Sequence, residues 1–141
     1  MVCPNAGNCP CRSKRIDDKP PCLDFSILGT QKTPIAKTEH RGMTLAQLRA
    51  LWNFIEKHAL RDGFLPGWLD RDGKTLHKDS INLYDVVKYV VNPATKEQKC
   101  SFVELVAPAG TTAQTPRWFV SHWQPKPVLH VFLIVQKYDE D

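Results

Sequence analysis

The chain has 141 residues, 42% of them hydrophobic and 24% charged, with a net charge of +4; that suits one domain with or without a tail and argues against two full domains. Its longest apolar run, Val128 to Val135, contains His130 and falls well short of the ~20 residues that cross a bilayer. Met1 to Arg15 also lacks the apolar core of a signal peptide, so the expectation is a cytoplasmic protein without a transmembrane segment.

Residues 1–42 hold seven Lys/Arg against four Asp/Glu, and the remainder twelve against eleven. The basic excess therefore sits in a stretch whose single aromatic is Phe25. No basic stripe is interleaved with stacking aromatics, so nucleic acid is not an expected partner. The same stretch carries five of the 11 prolines and four of the five cysteines without periodicity. It reads as an irregular Cys/Pro-rich arm (1–42) ahead of a helical and strand-bearing region (43–141).

Thr44-Leu-Ala-Gln47 is a capping box, and Leu45, Leu48, Trp52, Ile55 and Ala59 recur at helical spacing. The pattern predicts a helix over about 45–61, stopped by Asp62-Gly63 with glycine in the left-handed position. Phe64 to Gly73 holds two turn signals. Asp70-x-Asp72-Gly73 lacks a calcium loop's spacing, because glycine falls fourth and Ile81 stands where Glu is needed; a surface turn is expected. Asn82 caps a second helix over 83–91, whose apolar stripe is ended by Asn92-Pro93. Thr95-Lys-Glu-Gln98 looks like a further capping box, opening a third helix over about 96–107.

Residues 108–116 are a loop by composition. Arg117 to Trp123 is aromatic and β-branched and reads as a central strand. Val128 to Val135 is strand-like too, and the four residues between the runs allow only an antiparallel hairpin. A helix over 128–137 is the alternative. The predicted fold is α+β or incomplete α/β, about three helices packed on a small one- or two-strand sheet.

Cys3, Cys9, Cys11 and Cys22 follow C-x5-C-x-C-x10-C. Four thiolates could hold zinc, with His40 as a substitute ligand, but the spacing departs from paired C-x2–4-C knuckles. Free thiols are the leading reading, acylation of Cys3 a further one, and no cofactor is expected, zinc being the alternative. Ser121-His122 suggests a nucleophile and its base. Neighbours on a strand point to opposite faces, however, and no carboxylate is placed to orient the histidine.

The words Trp118-Phe119-Val120-Ser121-His122-Trp123 resemble the signature of a largely uncharacterised family of microalgal protists, W-F-V-S-H-W-W-G-E-P-V. Asn82-Leu-Tyr-Asp85, Pro93-Ala-Thr95 and Cys100-Ser-Phe-Val-Glu104 are similar to its upstream words, so the resemblance covers about 44–128. That family's F-V-S-H strand is similar in turn to the first strand of Toll/interleukin-receptor-like (TIR-like) domains, which implies a parallel sheet flanked by helices. Gln124-Pro125-Lys126 replaces the family's W-G-E. The resemblance therefore implies the N-terminal portion of a longer family member, without the later glutamate that NAD-cleaving TIR-like enzymes use. The expected function is a non-catalytic interaction or scaffold module, a truncated TIR-like signalling-type domain that binds a protein partner or itself. A TIR-like NAD hydrolase and a zinc-stabilised binding module are the alternatives.

Overall fold

A computed structural model describes residues 21–120 and 125–139. The fold is α+β: short helices around a two-stranded antiparallel sheet.

α1 (Leu45–Phe54) begins as its capping box requires. The Gln47 N–H donates to Thr44 Oγ1 at 3.1 Å, and the Thr44 N–H to Gln47 Oε1 at 2.9 Å. A π turn (Ile55–Ala59) extends it, so that Leu51, Phe54, Ile55 and Ala59 all enter the core. The helix ends before Asp62-Gly63, which does different work. Both residues have positive φ, 49° and 85°, and Arg61 and Phe64 exchange N–H···O bonds of 2.8 and 2.9 Å across them. That is a primed hairpin-type turn, and Asp-Gly is among its preferred pairs.

The chain then enters β1 (Phe64–Leu69), where only turns were expected, and pairs with β2 (Thr75–His77). The register slips between Leu65 and Leu69, at Pro66-Gly67. Proline has no N–H for the ladder, and Gly67 takes φ 73°, so the irregularity falls where the pairing is weakest. Asp70 makes the expected surface turn, its Oδ1 accepting N–H groups of Asp72 and Lys74 at 2.9 and 2.8 Å. Tyr89 ties this hairpin down: its ring stacks on buried Trp68 with centroids 4.8 Å apart, and its hydroxyl bonds both backbone groups of Leu69.

α2 (Leu83–Val86) starts at the Asn82 cap. It does not stop at Asn92-Pro93 but continues through a π turn (Val87–Val91) into α3 (Asn92–Thr95). In the wide turn the Asn92 N–H reaches back five residues to the Val87 carbonyl. The bonding pattern has already shifted where Pro93 withholds its donor, so proline is accommodated. The expected third helix is corrected as well. Thr95 donates its hydroxyl to the Val91 carbonyl at 2.8 Å and is unavailable as a cap, while Lys99 turns left-handed with φ 47°. The true start is Ser101, whose box with Glu104 opens α4 (Phe102–Val106).

Trp118 to Val120, expected in a central strand, form no strand and are exposed. α5 (Val128–Asp139) is a helix, so the hairpin expectation fails and the helical alternative holds. Its Val128 N–H donates to the Ile81 carbonyl at 2.8 Å, fixing its start beside α2. Val128, Val131 and Phe132 then meet α1, with Phe132 and Trp52 ring centroids 5.7 Å apart. Packing of this stripe outweighs the β preference of its branched residues.

Candidate functional site

Of the residues singled out in the sequence, Ser121, His122 and Trp123 lie outside the described residues, as do Cys3, Cys9 and Cys11. Cys22 is exposed with a free thiol. Among the described residues no three His, Cys, Asp or Glu side chains come within reach of one metal ion.

One Ser-His-Asp cluster does occur, at the end of β2. Asp79 lies 3.3 Å from His77 Nδ1, but Ser80 Oγ donates to the His77 carbonyl at 2.9 Å and accepts the His77 N–H at 3.1 Å. The serine hydroxyl is thus engaged with backbone rather than with the imidazole. A nucleophile needs the base itself within hydrogen-bond reach, and this arrangement is a turn.

Glu104 is the buried charged residue among those described. Its Oε1 accepts the Ile35 N–H at 3.0 Å and lies 3.3 Å from the Arg41 guanidinium, while Oε2 accepts from Ser101. The backbone donors of Ile35 and Ser101, aided by Arg41, hold its carboxyl down to about 2 against the opposing effect of burial. Arg41 also grips the Ile35 carbonyl through two N–H groups at 2.9 and 2.8 Å. These contacts clasp residues 33–41 onto α4.

Several large apolar side chains are also exposed. Trp118, Phe119 and Val120 are 65%, 94% and 44% exposed. Trp118 leans against Tyr138 of α5, ring centroids 6.3 Å apart. Tyr138 shares its side of the helix with Leu133 and Ile134, 63% and 47% exposed, because positions i, i+1 and i+5 fall on one face. Beneath α5 the apolar cleft between α1 and α2 holds about 40 Å³ of free space, room for a methyl group or two. That is far below the several hundred Å³ of a small-molecule pocket. The tract Trp118–Val120, read in the sequence as a strand, forms none and lies exposed. The α5 face was hidden, because both of its sides are apolar and the run reads as a strand.

No family model matches the chain, and no match was found among curated proteins or solved structures.

Proposed function

We propose that this chain is a non-catalytic interaction or scaffold module that binds a protein surface through the face made by Trp118, Phe119 and the outward side of α5. The observation that supports this reading is the contact of Trp118 with Tyr138, which joins an exposed aromatic tract to an exposed helical stripe in one patch. Large apolar patches of this kind mark interaction sites, and Trp and Tyr are the residue types that most often anchor them. A TIR-like, signalling-type assignment belongs to the same proposal and rests on the words Trp118 to Trp123 alone. We place the protein in the cytoplasm as part of that reading; among the described residues no helix is long and apolar enough to cross a membrane.

The test is affinity capture from cell extract with wild-type protein and with Phe119→Lys/Ile134→Lys on parallel supports. Proteins retained by the first and lost by the second are expected; identical sets would contradict the reading. Incubation with NAD checks the absence of catalysis, since release of nicotinamide at enzymatic rates would contradict it.

A further inference from the structure

We infer that Asp62 is a site of spontaneous backbone modification, its side chain closing onto the Gly63 nitrogen as a succinimide that reopens to isoaspartate. The fold directs this chemistry to Asp62 and away from the chain's other Asp-Gly pair, Asp72-Gly73. The inference is independent of the interaction-surface reading.

The reaction needs only the dipeptide and water. The Gly63 amide nitrogen attacks the carboxyl carbon of Asp62 in its acid form. The N–Cγ bond forms, the acid's hydroxyl leaves with the amide proton as water, and a five-membered imide results. Water then adds to either imide carbonyl. Breaking the N–Cγ bond restores aspartate, whereas breaking the nitrogen's bond to the backbone carbonyl leaves the chain running through Cβ. Glycine on the far side puts no side chain in the path of ring closure, and both dipeptides share that advantage.

Backbone geometry separates them. The ring closes only when the amide nitrogen eclipses Cβ about the Cα–C bond, which sets ψ near about −120°. That value belongs to the first central residue of a type II′ turn, where φ is positive, and lies outside the main basins at negative φ. Asp62 already has φ 49° and, with Gly63 at 85°, sits in a type I′ turn. Types I′ and II′ close the same hairpin and differ by rotation of the one peptide plane between their central residues. Glycine accepts φ of either sign, so the Asp62–Gly63 plane can turn while the Arg61–Phe64 bonds hold. Neither the Asp62 carbonyl nor the Gly63 N–H is hydrogen-bonded among the described residues, and Asp62 is exposed.

Asp72 is exposed as well, but its φ is not positive. The Gly73 N–H donates to the Asp70 carbonyl at 3.2 Å and the Asp72 N–H to Asp70 Oδ1 at 2.9 Å, so turning that plane breaks the turn. The product at Asp62 has a structural consequence. One extra backbone atom enters a two-residue turn, and the Arg61–Phe64 pairing that leads into β1 no longer closes.

The test incubates the full chain, folded, for weeks in heavy-oxygen water and maps its peptides by mass spectrometry. Each ring opening leaves one heavy oxygen, and isoaspartate separates from aspartate by chromatography. Label at Asp62 is expected to accumulate about tenfold faster than at Asp72, a difference of ~1.4 kcal/mol in barrier. In urea, where the turns are gone, the two rates should converge. Asp62→Asn keeps a preferred primed-turn pair and should lose ammonia through the same ring, gaining one mass unit at that position. Absence of label at Asp62, label at Asp72 as fast or faster, a ratio that urea leaves unchanged, or an Asp62→Asn chain that keeps its mass overturns the inference.

Discussion

The Glu104 carboxylate accepts the backbone N–H of Ile35 at 3.0 Å, joining residues 69 apart in sequence and burying Ile35 completely beside Val103 and Ala107. Glu104→Ala would leave that N–H and the Ser101 donors without an acceptor, at a cost of about 1–3 kcal/mol. The pH dependence follows from the sign of the shift. The folded carboxyl titrates near 2 rather than at its ordinary 4.5, so its contribution is fully present above 4.5 and drains away as pH falls from 4.5 toward 2. Asp85, which burial pushes above 3.8, works in the opposite direction and offsets part of this. Urea unfolding between pH 6 and 3 should therefore show a steeper acid loss in wild type than in Glu104→Gln, whose side chain does not titrate there.

Phe132 and Leu133 are neighbours with opposite duties. Phe132 packs on Trp52 in the cleft, whereas Leu133 faces outward. Phe132→Ala should cost roughly 1–3 kcal/mol, less than the ~3–5 kcal/mol of a fully buried phenylalanine. Leu133→Ala should stay within about 0.5 kcal/mol. Thermal melts by tryptophan fluorescence check both.

Two glycines separate space from backbone conformation. A Cβ on Gly42 would stand 2.7 Å from the Gln114 carbonyl oxygen and 2.9 Å from the Pro116 nitrogen, backbone atoms that no rotamer change can move. Gly42→Ala should destabilise by about 1–3 kcal/mol and loosen the bridge between Arg41 and Gln114. Gly73 has open space around it but φ +78°, so Gly73→Ala should lose only about 1 kcal/mol and Gly73→Asn less. Chemical denaturation of the three variants, with hydrogen exchange at Gln114, measures the difference.

Legibility in the sequence followed the range of the forces involved. The Thr44 and Asn82 starts were readable because a cap needs only residues three apart. The Thr95 reading failed on the same logic: the pattern is local, but the threonine hydroxyl had a better acceptor one turn back, and Ser101-x-x-Glu104 held the working box. Asp62-Gly63 fits a helix stop and a primed turn equally well, and only the bonds between Arg61 and Phe64 decide. Phe64 to Leu69 was masked by Pro66-Gly67, which here mark a slip in a real strand. α5 was ambiguous because seven apolar residues in a run of eight, some turned inward and some outward, show neither period cleanly. The Glu104 clasp was invisible, since its partners come together only when the arm docks.

Photocrosslinking from position 134 tests the central claim most directly. A benzophenone amino acid placed at Ile134, at the middle of the exposed stripe, is irradiated in cell extract alongside one placed at Arg71 in the β1–β2 turn. The account predicts discrete protein adducts from position 134 and none of these from position 71. Equal, diffuse labelling from both positions, or none from 134, would contradict it.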